Sequence, residues 1–475
     1  MGHRFTVLGR ETRSQGRDLG HSLISQGPDR CYDWRVTLAK GLSVMTSIYW
    51  FRNDLRLTDN PALSEACEAS DPVEFVFIRS PQEAAMTPWG FPRLGIHRLK
   101  FRNQALFGLG QAIADRGGRL HVLDGDANQG LCHLAEQFHA TTIYCEAIAA
   151  PEELLEVATL RASGLTVKDK WQSSLLDPAD LPFPIDAMPD VFTAFRKAVE
   201  LSGISPRPSI RQKTRFMSVP PIDETISPSE WQTPSLDGGS EKRRASGIFE
   251  GAEASGLAHL ASYFGSPAPL SYKKTRNQLS GTAFSTKLSP WLATGALSAR
   301  TVFEHLKGHE ARFGANESTY WIWFELLWRD FFRFWTLKHG TRLFRAKGLS
   351  DRPLSSHDPH AFERWCAAKT GQAFVDAGMR ELAATGYLSN RMRQIVASYL
   401  VHDLGCDWRA GAAWFESQLI DYDVYSNHGN WLYISGRGAD PRPDRRFNTD
   451  KQAQDYDPDG AYRRLWSEPI VGATP

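Results

Sequence analysis

The side chains best suited to chemistry are concentrated between Gly386 and Arg437. If this stretch begins as a helix, with about 100° between successive residues, Asn390, Arg393 and Gln394 lie on one side of it. The apolar residues of the same segment lie on the other side: Leu388, Met392, Ile395 and Tyr399. The polar side of such a helix can face either water or a binding cleft.

Two carboxylates follow this predicted helix. Asp421 and Asp423 flank Tyr422 in a run rich in Trp, Tyr and Ile. A carboxylate in such surroundings needs a cationic or hydrogen-bonding partner, because burying an unpaired charge is prohibitive. Arg391 and Arg393 are the nearest candidates. The sequence therefore predicts a cluster of paired charges in an aromatic environment.

A third group of polar side chains precedes an apolar helical stretch. It comprises Ser285, Thr286, Lys287, Leu288 and Ser289, followed by Pro290. Ser at the N-cap and Pro at the first helical position are typical of a helix start. Backbone N–H groups, hydroxyls and an ammonium group would then converge, which is an arrangement that binds phosphate. Ordinary helix capping explains the same residues.

A long aromatic helix is predicted at Glu317–Lys338, and its apolar residues on nearly all sides indicate burial. Glu325, Trp328 and Arg329 share one face of it, because they are three and four positions apart. One interpretation is an internal salt bridge between Glu325 and Arg329. The other is a pocket wall that recognises a flat, hydrogen-bonding ligand such as a base.

The elements that must position these groups fall into two patterns. Short apolar runs at 48–51, 73–78, 120–123, 142–145 and 165–167 alternate with helical stretches near 61–69, 95–115, 130–138 and 152–162. This alternation predicts an α/β domain with a doubly wound parallel sheet. Beyond residue 257 nearly every segment has a helical pattern, so an all-α domain is expected. We found no glycine fingerprint for dinucleotide binding.

Composition bounds the class of protein. A length of 475 residues with 41% hydrophobic residues suits two or three domains with sizeable cores. The six cysteines are scattered, which favours reduced thiols in a cytoplasmic protein and argues against a zinc site. No membrane segment is expected. The 15 Trp lie mostly beyond residue 290, which fits either a packed helical core or an aromatic cofactor with electron-transfer side chains.

These patterns give a division into four parts. Residues 1–46 are interpreted as a disordered N-terminal extension, and 47–175 as the α/β domain. Residues 176–256 are rich in Pro, Ser and Gly, which is typical of a connector, with one helix at Val191–Leu201. Residues 257–475 are the predicted helical domain.

Taken together, the chain resembles the photolyase/cryptochrome family, and specifically its DASH branch, from about Ser47 to Pro469. The resemblance rests on IYWFRNDLRLTDNPAL at 48–63, DLPFPIDAMPDVFTAFRKAVE at 180–200, FSTKLSPWLATGALS at 284–298, FELLWRDFFRF at 324–334, TGYLSNRMRQ at 385–394 and DYDVYSNHGNW at 421–431. The last of these segments is characteristic of the DASH branch.

The resemblance implies a folded FAD in the helical domain. The matching cofactor positions are Tyr272, Ser285, Thr286, Lys287, Leu288, Ser289, Arg329, Arg393, Asp421, Tyr422, Asp423 and Asn427. Among these, Arg393 would pair with Asp421, and Asn427 would face the reactive flavin nitrogen N5. The sheet domain would hold an antenna, 5,10-methenyltetrahydrofolate, with Glu152 as a contact.

The resemblance further implies light-driven splitting of cyclobutane pyrimidine dimers by electron transfer from reduced FAD, with Glu325, Asn390 and Asn427 as catalytic residues. The matching DNA-binding positions are Arg276, Trp328, Arg391, Gln394 and Tyr433. Gln394 and Tyr433 replace the Met and Trp of duplex-acting photolyases. Because extruding a lesion costs least from an unpaired strand, single-stranded DNA is the expected partner of a monomeric protein.

One departure concerns electron supply to the flavin. Trp431 and Trp408 match the inner two of the family's three electron-transfer Trp, but the outer position is Ser355. Because Ser cannot give up an electron as indole does, slower or rerouted photoreduction is expected.

Two functions remain open at this stage. The first is a DNA repair enzyme, and the second is a blue-light receptor that binds FAD and DNA and signals without repair. A helical scaffold without flavin is the remaining alternative. The retained lesion-pocket residues favour the enzyme.

Overall fold

A computed structural model describes residues 46–69, 72–210, 215–216, 249–354, 356–438 and 446–467. The N-terminal extension up to residue 45, most of the connector between 217 and 248, and Ser355 lie outside the described residues.

The first part of the chain forms the predicted parallel sheet. Its strands are β1 (Ser47–Phe51), β2 (Val73–Arg79), β3 (Leu120–Asp124), β4 (Thr142–Glu146) and β5 (Thr166–Lys170), in the order β3-β2-β1-β4-β5. All neighbouring pairs are parallel. The order reverses between β1 and β4, where an open α/β sheet places its ligand crevice. The doubly wound α/β prediction is confirmed.

Helices cover both faces of the sheet. They are α1 (Pro61–Ala69), α2 (Ile96–Ala114), α3 (Ala127–Gln137) and α4 (Pro151–Ala162). Alternate residues of β1 point to opposite faces. Tyr49 and Phe51 pack in one cluster with α1 and α2, and Ile48 and Trp50 pack in another with α3 and α4. This is why the strands read as continuous apolar runs.

The rest of the described chain is helical, as predicted. The elements are α5 (Phe192–Ser202), α6 (Glu253–Gly265), α7 (Tyr272–Thr275), α8 (Ser289–Thr294), α9 (Ala299–Phe313), α10 (Glu317–His339), α11 (Pro359–Cys366), α12 (Ala373–Thr385), α13 (Asn390–Ser398), α14 (Trp408–Gln418), α15 (Val424–Ile434), α16 (Thr449–Tyr456) and α17 (Ala461–Leu465). The first of these after the gap, α6, starts at Glu253, within the predicted connector.

The central helix is α10. Asn316 begins it with a capping box, because its side chain accepts the N–H of Thr319 and the Thr319 hydroxyl accepts the N–H of Asn316. Halfway along, the fully buried carboxylate of Asp330 accepts the N–H groups of Leu175 and Leu176, each at 2.8 Å. This contact fixes the end of the sheet domain against α10. None of the described helices combines the length and apolarity needed to cross a membrane.

Candidate functional site

A cleft opens among the C-terminal helices. It consists of two adjoining cavities, of about 260 and 510 Å³, whose linings overlap. The residues common to both are Tyr272, Arg276, Thr286, Leu288, Ser289, Glu325, Asn390, Arg393, Gln394, Asp421, Asp423, Ser426, Asn430 and Tyr433. The loop before α8 and one side each of α10, α13 and α15 therefore face one space. The polar side of α13 points into this space, as one of the two interpretations of its pattern required.

The loop before α8 contributes Lys287. Its side chain is buried, its φ is +53°, and its Nζ lies 4.1 Å from the ring centre of Phe284 and 4.5 Å from that of Tyr387. Burial lowers the pKa of Lys287 to about 8, against the opposing effects of Glu381 and Asp421. The ammonium group therefore loses its proton closer to neutrality than that of an exposed lysine does.

The start of α8 differs from the prediction. Ser289 is the first helical residue and not the N-cap, which is Leu288, and this cap has no side-chain hydrogen bond. Pro290 occupies the first turn as expected. The Ser289 hydroxyl therefore does not cap the helix, and Ser289 lines the cleft.

Arg393 and Asp421 form a buried ion pair. Arg393 Nη2 lies 2.7 Å from Asp421 Oδ2, and Arg393 Nε donates to the backbone oxygen of Leu388 at 3.0 Å. Burial opposes the charge of Arg393, but Asp421 outweighs it and the pKa of Arg393 is raised. The other oxygen of Asp421, Oδ1, is buried without a hydrogen-bond partner in the described part of the chain. It is an acceptor left for a ligand.

The partner of Asp423 was wrongly predicted. Arg333, four residues after Arg329 on α10, donates to Asp423 Oδ2 at 3.0 Å, whereas Arg391 does not reach either carboxylate. Burial raises the pKa of Asp423, but Arg333 and Arg329 outweigh this effect and leave it lowered. Asp423 Oδ1 also caps α15 by accepting the N–H of Ser426 at 2.8 Å. The carboxylate is thus fixed from two sides.

Asn427 occupies the first turn of α15 and lines the cleft. Its Nδ2 donates to the backbone oxygen of Ala412 at 3.0 Å. This bond orients the amide so that Oδ1 remains for a ligand. Trp431 lies one turn further along, buried but still lining the cleft, and Tyr422 lines it with its ring 4.4 Å from the guanidinium carbon of Arg98.

Of the two interpretations of the shared face on α10, the internal salt bridge between Glu325 and Arg329 does not form. Glu325 forms its ion pair with Arg276 of the segment after α7. Arg329 donates to the backbone oxygens of Leu292, at 3.0 Å, and Ser173. Burial lowers the pKa of Arg329 to about 10. Two residues four positions apart on one helix can pair, but here Glu325 and Arg329 each bind a partner from another segment.

Aromatic rings form the outer wall of the cleft. Trp328 stacks on Phe192 with ring centres 3.7 Å apart and planes at 12°, and Tyr433 lies edge-on to it at 6.3 Å. Nearby, Arg391 donates to Gln394 at 3.0 Å and to Asn277 at 3.3 Å. Asn390, at the start of α13, is exposed and lines both cavities. Stacked rings beside hydrogen-bonding groups suit a nucleobase.

Three residues singled out in the sequence lie away from the cleft lining. Arg391 sits behind it, with its guanidinium 4.7 Å from the ring centre of Tyr456. Trp408 is buried and donates its indole N–H to the backbone oxygen of Ala346 at 3.0 Å. Glu152 starts α4, is well exposed, and pairs with Arg93 at 2.6 Å, which also pairs with Glu416 of α14 at 2.6 Å. Glu152 therefore lies where the sheet domain meets the helical domain.

Several residues of the site escaped sequence reasoning. They are Arg333, Tyr387, Phe284, Asn277, Ser426 and Asn430. Arg333 could have been found from the sequence, because it lies four residues after Arg329 and so on the same face of the predicted helix. The others come from segments whose local pattern gave no reason to place them here.

Comparisons with known proteins agree with this geometry. The family described as "DNA photolyase" matches residues 47–212, and the family described as "FAD binding domain of DNA photolyase" matches residues 321–470. A protein named cryptochrome DASH from Synechocystis is 43% identical over 89% of this chain and 87% of its own length.

Solved structures give the same answer. A Synechocystis cryptochrome is similar with a TM-score of 0.85 and 41% identity, covering 90% of this chain and 89% of its own. A class III photolyase from Agrobacterium tumefaciens is similar with a TM-score of 0.75 and 30% identity, covering 90% of this chain and 88% of its own. The family matches and the relatives of about 40% identity over most of the chain show that it belongs to the photolyase/cryptochrome family, in its cryptochrome DASH branch.

Proposed function

We propose that the chain binds FAD in the cleft and uses it to split cyclobutane pyrimidine dimers under blue light, preferentially in single-stranded DNA. The observation that carries this proposal is the buried Arg393–Asp421 pair beside Lys287, with the orphaned acceptor Asp421 Oδ1 lining the same space. A pocket with a buried lysine and an unused acceptor fits a ligand that carries an anionic group and N–H or O–H donors.

The residues present fit FAD. Tyr272 and the segment Ser285–Ser289, with Lys287, would hold its phosphates and ribityl chain. Around the ring system, Arg393, Asp421, Tyr422, Asp423 and Asn427 would provide the contacts, and Arg329 would help to set the charge. Bound flavin supplies a light-driven electron donor. The chain's own part is to hold Asp421 against Arg393, to keep Asp423 ionised beside Arg333 and to keep the Asn427 amide in one orientation.

The lesion would bind on the outer side of the cleft. Trp328 and Tyr433 would pack against its rings, Gln394 and Asn390 would provide hydrogen bonds, and Arg391 would hold the Gln394 amide from behind the cleft. The carboxylate of Glu325 is paired with Arg276, and an ionised carboxylate can only accept hydrogen bonds. To donate to a pyrimidine carbonyl, Glu325 must take up a proton, or Arg276 must donate in its place. Arg276 is therefore proposed as a partner of both the lesion and Glu325.

The preference for single strands rests on the chemistry of Gln394 and Tyr433. Gln394 already accepts a hydrogen bond from Arg391, so it offers a polar and not an apolar surface to an extruded dimer. Extruding the dimer from a duplex costs about a few kcal/mol of stacking and pairing, and contacts with a polar surface offset little of this cost. A dimer in a single strand does not have this cost.

We also propose that the surface beside Glu152 binds an antenna, 5,10-methenyltetrahydrofolate, and that the protein acts as a monomer. The support is positional, because Glu152 and its partner Arg93 lie at the contact between α4 and α14. Near-ultraviolet absorbance of the purified protein after folate addition, compared with Glu152→Gln, tests the first point.

The test of function is illumination of the chemically reduced holoprotein with dimer-containing oligonucleotides. We expect repair of the single strand, and at least about tenfold slower repair of the duplex, which corresponds to about 1.4 kcal/mol. Glu325→Ala should abolish repair while flavin content is unchanged. Failure to repair either DNA in the flavin-loaded protein would leave the receptor function as the better account.

A further inference from the structure

A series of aromatic rings leads away from the cleft through the buried helices. It begins at Trp431, which lines the cleft on α15. The ring of Phe415, on α14, lies edge-on to Trp431 with centres 5.1 Å apart. On the far side of Phe415, Trp365 of α11 is stacked at 6.3 Å with an interplanar angle of 24°. Trp365 is fully buried.

The series continues to the surface. Phe362 is stacked on Trp365 at 6.0 Å and 24°, and Trp89 lies 6.4 Å from Phe362. Trp89 is only half-buried, and its ring also contacts His357 at 4.8 Å. Indole rings and benzene rings thus alternate from the cleft to a side chain that solvent can reach.

We propose that Trp89, Trp365 and Trp431 form an electron route between an external thiol and the cleft. This inference rests on the proposed function, because it requires a light-driven oxidant in the cleft. Indole gives up one electron more readily than benzene, so the three Trp are the stations and Phe415 and Phe362 are the spacers. Because Trp and Phe rings alternate, each Trp of the series is separated from the next by one Phe ring.

The electrons balance as follows. Trp431 gives one electron to the photoexcited cofactor, Trp365 refills Trp431, and Trp89 refills Trp365. An external thiolate then refills Trp89. The two sulfur radicals left after two such events join as a disulfide, so two thiolates are oxidised for every two electrons delivered.

The placement of Trp408 supports this branch. The ring contact of Trp408 is with His428, edge-on at 6.2 Å, and its N–H is bonded to a backbone oxygen. Trp365 makes the same kind of N–H bond, to Val396 at 3.0 Å, but is also in ring contact with the spacer that touches Trp431. Because the outer position of the expected route is Ser355, the branch through Trp365 gives the chain another exit.

The experiment compares four variants of the flavin-loaded protein. Trp89→Phe removes the surface station, Trp365→Phe the middle one and Trp408→Phe the competing one, while Trp323→Phe on α10 is a control outside this ring series. The rate of flavin bleaching under blue light is measured with excess thiol. We expect Trp89→Phe and Trp365→Phe to be at least about fivefold slower than the control, about 1 kcal/mol, and Trp408→Phe to be within about twofold of it.

A second readout uses the unchanged sequence. In aerated buffer without thiol, illumination should add oxygen to Trp89, detected by peptide mass spectrometry, and Trp365→Phe should prevent this. The inference is overturned if Trp89→Phe bleaches at the control rate and Trp89 is not modified. Repair by chemically reduced Trp89→Phe is measured in parallel, because it does not use the route: normal repair with an overturned route leaves the proposed function standing.

Discussion

At the scale of single residues, the cleft combines fixed charges with one adjustable charge. Asp421 raises the pKa of its partner Arg393, and Asp423 is held by Arg333. Lys287 differs from them because burial, which lowers its pKa to about 8, is not fully offset by its acidic neighbours. An anionic ligand would add negative charge beside this ammonium group and favour its protonated form.

This difference predicts a pH dependence of FAD binding. Below pH 8 Lys287 is already protonated, so binding takes up no proton there. Above pH 8 binding must protonate the amine, so affinity should fall by up to about tenfold per pH unit, or about 1.4 kcal/mol. The measurement is titration of the flavin-free protein with FAD between about pH 7 and 9.5. Lys287→Arg is the control, because its charge persists and should flatten the curve. An identical slope in both proteins would exclude Lys287 as the cause.

Glu325 gives a second prediction at this scale. Glu325→Gln keeps the shape and can donate a hydrogen bond without a proton, but it cannot hold Arg276 as an ion pair. We expect repair of single-stranded DNA to persist at a rate reduced by about tenfold or less, with a flatter pH profile than the parent. Glu325→Ala should lose far more. Equal losses in Gln and Ala variants would show that the carboxylate charge itself, and not hydrogen bonding, is required.

At the scale of elements, the cleft depends on how closely α15 approaches α10. Gly429 lies at their contact, and a Cβ built there would be 2.2 Å from Cδ1 of Phe332. Phe332 is buried and packed against Trp328, so its ring has little room to move. The same helix α15 carries Asn427 and Trp431. Its distance from α10 therefore sets the position of both.

Gly429→Ala tests this dependence. Overpacking should destabilise the protein by about 1–3 kcal/mol and weaken FAD binding together. The matched control is Gly308→Ala, in the exposed part of α9, where a Cβ would meet nothing within 4 Å. Because Ala favours helix over Gly, that variant should gain up to about 1 kcal/mol. Urea unfolding and flavin retention are measured on both. If Gly429→Ala behaves like Gly308→Ala, the contact with Phe332 is not tight.

The elements were more predictable than their contacts. The strand at 48–51 and the helix from Glu317 were found because apolar periodicity is local. The need of a buried carboxylate for a partner left Arg391 and Arg393 both open, and it was the family resemblance that paired Arg393 with Asp421, as the structure has it. One interpretation paired Glu325 with Arg329, but its partner is Arg276. Arg276 is distant in sequence, and spacing along one helix gives no information about such partners. The partner of Asp423 was not predicted for the same reason, because Arg333 belongs to another helix.

At the scale of the whole molecule, a buried carboxyl group of the sheet domain contacts an arginine that also binds a cleft residue. Glu146 ends β4, and both oxygens of its carboxyl group are buried. Arg333 Nη1 lies 3.9 Å from Glu146 Oε1, while Nη2 of the same guanidinium holds Asp423 in the cleft. Arg333 therefore connects the carboxyl end of β4 with the wall of the proposed flavin site.

This connection predicts a pH-dependent stability. Burial and then Asp54 raise the pKa of Glu146 to about 7, although Arg333 opposes them. Between about pH 4.5 and 7 the folded protein keeps a proton that the unfolded chain has lost, so Glu146 lowers the free energy of unfolding by up to about 1.4 kcal/mol per pH unit as pH rises.

Glu146→Gln removes this titration but keeps the size of the side chain. At about pH 7.5 the variant should be more stable than the parent by about 2–3 kcal/mol, and near pH 4.5 the two should converge. Urea unfolding at several pH values measures the difference, which isolates Glu146 because Asp330 and the other buried acids are common to both proteins. Glu363→Gln, at a well-exposed carboxyl, should leave the profile unchanged. A difference that grew toward acid pH would show that Glu146 is ionised in the folded protein, and that its charge, together with Asp423, is what Arg333 neutralises.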